Sequence, residues 1–263
     1  MTKTGASAHY LLFVKGGSIF MLHDDYFEYY ERLASWKFDE FDISSECLTE
    51  WDLYEILRSL VSEDSCVLDL GTGGGEKVIA EYPECRQIIA TDYSPQMIAT
   101  AKRNLAKSGR TDISFRVMDN LKMDVGDELF DVVVARHTVT DPVQILRCLK
   151  PGGHLLIRGV DKYDCWGLKM IFGDGQGYSD PVPQSIRDYE NVIAAGFADV
   201  TLVPICERDY FRDRDAFKAF LSKVPILDGV PDDAPLDEYI ARNTICGRIR
   251  LQRQYYGITA RKK

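Results

Sequence analysis

The chain has 263 residues, of which 45% are hydrophobic and 28% charged, with a net charge of −9 and an isoelectric point near 5.0. This size and composition are typical of one globular α/β domain with a full core, with room for a small insertion. The negative charge repels a phosphate backbone, so we do not expect nucleic acid as a partner. The seven cysteines are scattered without a C-x-x-C pair, which predicts reduced thiols, a cytoplasmic location and no metal site.

The N-terminal segment, residues 1–62, is predicted to be helical and to cover the functional site. Apolar and aromatic residues recur at helical spacing within residues 24–62. The apolar stretch 9–22 is interrupted by a lysine and two glycines, so it is too short to span a membrane. The sequence leaves open whether Met1 or Met21 is the natural start.

Beyond this segment, short apolar runs typical of strands alternate with runs of helical periodicity. The predicted strands are 66–70, 87–91, 113–118, 130–135, 154–160, 200–206 and 253–260, and the predicted helices begin or lie at 77–81, 95–107, 143–149 and 185–195. This alternation predicts an α/β fold, with a parallel sheet covered by helices on both faces. The last strand alternates in polarity, which predicts that it lies at a sheet edge.

Two stretches between the late elements differ in composition from the rest. Residues 163–183 are rich in Gly, Asp and aromatic residues, and residues 208–246 have a polar, helical pattern with three prolines. Segments that follow the carboxyl ends of strands commonly carry binding residues. We therefore predict a main domain over residues 63–263 in which these two insertions cover the substrate.

The first predicted strand leads into a glycine-rich turn, Asp69-x-Gly71-x-Gly73-x-Gly75. Glycines permit a sharp turn and let backbone N–H groups approach a ligand. The spacing differs from G-x-G-x-x-G, and the turn lacks the G-K-[ST] ending of a phosphate loop. Glu76 at the start of the next helix repels a pyrophosphate. The turn therefore favours a nucleotide-like ligand that carries no pyrophosphate.

Asp92 directly follows the second predicted strand. A carboxylate at this position can accept hydrogen bonds from both hydroxyls of a ribose. The alternative is that Asp92 caps the following helix. Because Ser94 is the better N-cap, with Pro95 at the first helical position, Asp92 is expected to be left for a ligand.

Five segments follow one another in the chain: VLDLGTGGGEK (67–77), IIATDYSPQMIATAKRNL (88–105), VMDNL (117–121), FDVVVARHTV (130–139) and LKPGGHLLI (149–157). Their order and spacing resemble the class I methyltransferases that depend on S-adenosylmethionine (SAM), especially the domain found in ubiquinone and menaquinone biosynthesis enzymes. The C-terminal RLQRQYYGITARK is similar to the last, antiparallel strand of that family. The resemblance implies a Rossmann-like, seven-stranded, mostly parallel sheet and SAM as the cofactor.

The resemblance also implies roles for the matching residues. The turn residues Gly71, Gly73 and Gly75 would line the methionine and ribose parts of SAM, with Asp69 near the amino group. Asp92 would bind the ribose hydroxyls.

Further roles concern the adenine and the methionine ends of the cofactor. Tyr93 and Met97 would flank the adenine, although Met97 also suits an ordinary helix core. Asp119 would accept from the adenine amino group, with the Asn120 backbone beside it; the alternative for Asp119 is a solvated turn. Arg136 would offer its backbone carbonyl to the methionine amino group.

His137 follows the fourth predicted strand and is the candidate catalytic base, since its ordinary pKa near 6.5 suits proton abstraction. The alternative is that it only packs or contacts the acceptor. We predict a small-molecule acceptor. RNA or protein methylation on the same fold, or a regulatory module that binds SAM without catalysis, are the alternatives. The chain lacks an N-P-P-[YF] motif after the fourth strand, and the acceptor atom and the oligomeric state stay open.

Overall fold

The computed structural model describes residues 41–263, so the predictions for residues 9–22 and for a helix over 24–40 lie outside the described part. Within it, one mixed sheet has the strand order β4-β3-β2-β5-β6-β9-β7-β1, with β8 paired to β9. The strands are β1 (Ser44–Cys47), β2 (Cys66–Leu70), β3 (Gln87–Asp92), β4 (Ile113–Val117), β5 (Phe130–Arg136), β6 (Leu149–Val160), β7 (Ala198–Phe211), β8 (Thr244–Ile245) and β9 (Arg248–Arg261).

The half of the sheet from β4 to β6 is parallel throughout. All five residues of β2 are buried, as expected for a central parallel strand with helices on both faces. The helices are α1 (Leu53–Leu60), α2 (Glu76–Glu81), α3 (Pro95–Leu105), α4 (Pro142–Cys148), α5 (Trp166–Phe172), α6 (Gln184–Ala195), α7 (Arg214–Lys223) and α8 (Asp233–Asn243). The first three cover one face, and α4 and α6 cover the other. The predicted α/β class and mostly parallel order are confirmed.

The helix boundaries follow local capping signals. The Ser94 hydroxyl accepts a hydrogen bond from the Met97 N–H at 3.2 Å, and Pro95 occupies the first turn of α3, as predicted. Asp141 caps α4 and Asp213 caps α7 in the same manner. Such caps satisfy backbone N–H groups that have no partner inside the helix.

The position of β9 corrects the prediction of an edge strand. It lies between β6 and β7 and is antiparallel to both. Its polar alternation arises because some of its polar side chains form ion pairs inside the protein. Arg253, whose side chain is 12% exposed, pairs with Asp164 and Asp209.

The described part of the N-terminal segment confirms one predicted helix, α1 over Leu53–Leu60, but its beginning differs from the prediction. Residues Ser44–Cys47 form β1, which pairs antiparallel with β7. Strand β7 extends five residues beyond its predicted end at residue 206 and so offers a free edge, and this pairing across a long sequence separation overrides the local helical pattern. The strand β1 also makes the sheet larger than the seven strands predicted.

The two predicted insertions form a helical lobe. We use this name for α5, α7 and α8, which pack together around buried aromatic and aliphatic side chains. Residues 208–211 belong to β7 and residues 166–172 form a helix, so the insertions are more ordered than their composition suggested. None of the helices in residues 41–263 is long and apolar enough to cross a membrane.

Candidate functional site

Four loops meet at one edge of the sheet. Strands β5, β2, β3 and β4 are parallel neighbours, so their carboxyl ends lie side by side. The residues at or just after these ends include Gly71, Asp92, Asp119 and His137. The fold therefore brings together residues that the sequence separates by more than sixty positions.

The glycine turn after β2 is a close-packed backbone structure. The N–H groups of Gly71 and Thr72 donate to the Thr91 carbonyl at 2.9 and 2.8 Å. Gly71 has a φ of +75°, and an added Cβ would lie 2.6 Å from the Thr138 Cβ. Both the backbone conformation and the space therefore require glycine here. Gly75 has a φ of +76° and precedes α2.

Asp92 links the glycine turn to the neighbouring loop. One carboxylate oxygen accepts from the Gly73 N–H at 2.8 Å, and the other accepts from the Ser94 N–H at 2.9 Å. Each carboxylate oxygen has a second lone pair, so the group keeps the capacity to accept from ligand hydroxyls. Asp92 is not the N-cap of α3, since Ser94 has that role.

Asp69 places a buried carboxyl group next to the glycine turn. It is 3% exposed, and the Tyr82 hydroxyl donates to it. Burial raises the pKa of Asp69 to about 6, and the Tyr82 hydrogen bond and the positive charge of Arg136 oppose that shift. A carboxylate in this position favours a cationic ligand and repels a pyrophosphate. The chemistry of the cradle thus fits an adenosyl sulfonium.

The loop after β4 closes the same edge. The Asp119 carboxylate accepts from the Leu121 N–H at 2.9 Å. The Asn120 side-chain amide donates to the Thr138 hydroxyl at 2.9 Å, which joins this loop to the loop after β5. The Asn120 Oδ1 is buried and has no hydrogen-bond partner among the described residues. Buried polar atoms are seldom left without a partner, so this oxygen is available to a donor on a ligand.

The two residues predicted beside the adenine differ in exposure. The Tyr93 side chain is 58% exposed, whereas Met97 is 2% exposed at the first turn of α3. A buried Met97 agrees equally with helix packing and with a wall behind a ligand, so its predicted role stays a prediction.

His137 occupies a constrained position at the end of β5. Its φ is +54°, and its backbone N–H donates to the Arg158 carbonyl at 2.8 Å. The imidazole stacks on Tyr255, with ring centroids 5.3 Å apart and an interplanar angle of 11°. Its Nε2 lies 2.8 Å from the Arg158 Nη1. Desolvation, followed by the positive charges of Arg158, Arg136 and Arg253, holds the pKa of His137 well below its usual range.

Arg158 is the centre of a side-chain network that the motifs did not reveal. Its Nη2 donates to Glu207 at 2.6 Å, and its guanidinium lies 4.2 Å from the Tyr255 ring centroid. Near the same ring, Arg253 donates to Asp164 at 2.9 and 3.1 Å. The only signal in the sequence was a single arginine inside the apolar run LLIRGV. Among residues 41–263, no cluster of His, Cys, Asp or Glu side chains could hold a metal ion.

Comparison with known proteins assigns the family. The family model described as "Methyltransferase domain" matches residues 62–195, which is half of the chain. A protein-L-isoaspartate O-methyltransferase of Myxococcus xanthus is 32% identical over 95 residues, covering 36% of this chain and 45% of that protein. A demethylmenaquinone methyltransferase of Bacteroides fragilis is 28% identical over 116 residues, covering 40% and 47%. The matched region spans less than half the length of these relatives.

The solved structures show the fold. A functionally unknown protein from Deinococcus radiodurans R1 has a TM-score of 0.56 at 14% identity, and the alignment covers 92% of this chain and 100% of that chain. At this identity the likeness concerns the fold alone. Together with the family match, it confirms the resemblance seen in the sequence. The chain belongs to the methyltransferase domain family, and the domain that it forms is a class I, SAM-dependent methyltransferase domain.

Proposed function

We propose that this protein transfers a methyl group from SAM to a small-molecule acceptor. The observation that carries the proposal is the cradle at the carboxyl edge of the sheet. There, Asp92 accepts from the Gly73 N–H at 2.8 Å, beside the buried carboxyl group of Asp69. A glycine turn that permits close approach of a ligand, a carboxylate suited to hydroxyls and a second one suited to positive charge together match an adenosyl sulfonium.

For the cofactor, we propose that Asp92 accepts from the ribose hydroxyls and that Asp69 lies near the methionine amino group. The turn containing Gly71, Gly73 and Gly75 would line the methionine and ribose.

At one end of the cofactor, the adenine would lie between Tyr93 and Met97. Asp119 would accept from its amino group, with the Asn120 backbone beside it. The backbone carbonyl of Arg136 would accept from the methionine amino group.

The acceptor class is proposed from the walls of the site and from charge. The helical lobe follows the carboxyl ends of β6 and β7 and packs as a separate apolar cluster, and we propose that it covers the acceptor together with residues 1–62. A covered site suits a small molecule better than an extended polymer. A net charge of −9 further disfavours RNA.

In the proposed reaction the protein's main contribution is positioning. When bound, SAM supplies an electrophilic methyl group on its sulfonium. The loops after β2, β3 and β4 hold the adenosyl part, while the loop after β5 and the lobe hold the acceptor in line behind the methyl carbon. Such alignment is worth roughly 7–11 kcal/mol of a bimolecular barrier. We propose that His137, which directly follows β5, contacts the acceptor, which is the alternative to its predicted role as catalytic base.

Calorimetric titration with SAM, S-adenosylhomocysteine and NAD tests the cofactor. Saturable binding of SAM is expected, and saturable NAD binding without SAM binding would contradict the proposal. Release of S-adenosylhomocysteine is then measured with low-molecular-mass and macromolecular fractions of an extract. Turnover confined to protein or RNA would favour those alternatives. Binding of SAM without turnover on either fraction would favour a regulatory module.

We also propose a cytoplasmic location. Support comes from the cysteines, all seven of which are free thiols, three of them buried. Secreted proteins usually pair such residues in disulfides.

A further inference from the structure

We propose that Arg158 fixes His137 as a hydrogen-bond donor to the methyl acceptor, so that His137 does not remove a proton from it. The inference rests on the proposed function, because it assigns a role to a residue of the acceptor site. Arg158 is then a positioning residue that acts through His137. The assignment comes from the contact between the Arg158 Nη1 and the His137 Nε2 at 2.8 Å.

The chemistry of the two groups decides the direction of this hydrogen bond. A guanidinium carries only donors, so the His137 Nε2 must be the acceptor. A neutral imidazole has one N–H, which is therefore on Nδ1. The lone pair that a general base needs is already engaged by Arg158. The remaining ring nitrogen presents a donor.

Both partners of this hydrogen bond are held in place. Arg158 donates to Glu207 at 2.6 Å and lies 4.2 Å from the centroid of the Tyr255 ring. His137 stacks on the same ring, and its backbone N–H donates to the Arg158 carbonyl at 2.8 Å. A rotation of Arg158 that freed the Nε2 would also have to break the Glu207 ion pair. The tautomer is thus set by a network and not by a single contact.

The charges around His137 also favour a neutral imidazole. Arg136 of β5 is in register with Arg158 of β6, and Arg253 of β9 lies 5.1 Å from the centroid of the Tyr255 ring. The carboxylates that face these arginines, Glu207 and Asp209 of β7 and Asp164 of the loop after β6, are paired with Arg158 and Arg253. A protonated His137 would add a positive charge beside three arginines. Desolvation and, after it, the positive charges of these arginines hold the pKa of His137 well below its usual range.

This arrangement specifies the acceptor. The molecule must present an oxygen or nitrogen lone pair to the Nδ1–H of His137. Its nucleophilic atom must carry an electron pair without help from His137. That pair forms the bond to the methyl carbon, and the pair of the breaking carbon–sulfur bond stays on sulfur. A proton on the acceptor, where there is one, passes to water.

Nuclear magnetic resonance of the full chain labelled with nitrogen-15 histidine tests the proposal without knowledge of the acceptor. Comparison with the spectrum of a His137→Asn variant identifies the signals of the His137 ring. In the wild type, at neutral pH, we expect an Nδ1 that carries the proton and an Nε2 that does not. The ring should stay neutral as the pH falls through the range in which exposed histidines titrate.

Variants of Arg158 test whether this residue sets the tautomer of His137. Arg158→Met should release the Nε2, shift the proton toward that nitrogen and raise the pKa of His137, whereas Arg158→Lys should retain part of the wild-type pattern. Arg261→Met is the matched control, since Arg261 lies on the far part of β9 and pairs with Asp199 of β7, and it should leave the signals of His137 unchanged.

Two outcomes would overturn the inference. One is a wild-type His137 that carries its proton on Nε2 or is charged at neutral pH; this measurement stands even where Arg158→Met fails to fold. The other is a folded Arg158→Met variant with the wild-type tautomer. Calorimetry with SAM on the same sample keeps this failure separate from a failure of the proposed function.

Discussion

The two halves of the site are built differently. The proposed cofactor half, at the ends of β2, β3 and β4, consists mainly of backbone turns held by contacts of short sequence separation, such as that between Gly73 and Asp92, which are 19 residues apart. The proposed acceptor half, around β5, β6, β7 and β9, consists of side chains from distant parts of the chain. Arg158 and Glu207 are 49 residues apart, and Arg253 and Asp164 are 89 apart.

The difference teaches which property each half controls. Backbone geometry in the cofactor half depends on glycine and on one carboxylate, so single changes there should affect cofactor affinity. The acceptor half holds buried charges, so changes there should affect stability or turnover and leave cofactor affinity nearly intact. Four predictions, taken from the largest expected effect to the smallest, test this separation.

Arg253→Met should have the largest effect, on stability. Removing the arginine leaves the carboxylates of Asp164 and Asp209 buried without their partner, which costs about 3–5 kcal/mol of unfolding free energy. Denaturant unfolding measures this loss of unfolding free energy. The control is Arg261→Met in the same strand, whose ion pair with Asp199 is exposed and should be worth less than about 1 kcal/mol. Equal losses in both variants would contradict the prediction.

Asp92→Ala should weaken SAM binding by roughly tenfold or more, through the loss of one or two hydrogen bonds to a charged group. The change also removes the partner of the Gly73 N–H. Calorimetric titration gives the dissociation constant, and Asp199→Ala, at an exposed acid of β7, is the control. An unchanged dissociation constant in Asp92→Ala would refute the ribose role.

The pH dependence of SAM affinity tests Asp69. Its pKa is raised to about 6, so affinity for the cationic cofactor should fall as the pH decreases below about 6. For stability the sign is opposite. A raised carboxyl pKa contributes stability fully below the unfolded value of 3.8, and that contribution is lost as the pH rises through about 6. Asp69→Asn should abolish the pH dependence of affinity, and its persistence in that variant would exclude Asp69 as the cause.

His137→Ala should lower turnover and leave SAM affinity nearly unchanged. Loss of a hydrogen-bond donor costs about 0.5–1.5 kcal/mol, which is roughly a two- to tenfold decrease, whereas loss of a general base costs roughly 10²–10⁴-fold. The rate of S-adenosylhomocysteine release at saturating SAM distinguishes the two. His137→Gln keeps a side-chain donor and should retain more activity than His137→Ala. A roughly thousandfold decrease in turnover in both variants would instead support a role of His137 as general base.

The elements of this protein that depend on local signals were predictable. The apolar run of β2, the glycine turn with Asp92, and the Ser94-Pro95 start of α3 all lie within a few residues of the features that specify them. Periodicity and capping act over one or two turns of chain, and they need no knowledge of distant partners.

Tertiary structure decided the elements whose partners lie far along the chain. Strand β1 forms because β7 offers an edge, and β9 is an interior strand because β7 lies outside it. The polar alternation of β9 predicts an edge strand when only the local sequence is considered. The buried partners of Arg253, which are Asp164 and Asp209, lie 89 and 44 residues away along the chain. The contact between Arg158 and His137 likewise exists only once β5 and β6 pair. A sequence reveals which side chains are charged, but whether a charge meets water or an opposite charge is settled by the packing of the whole sheet.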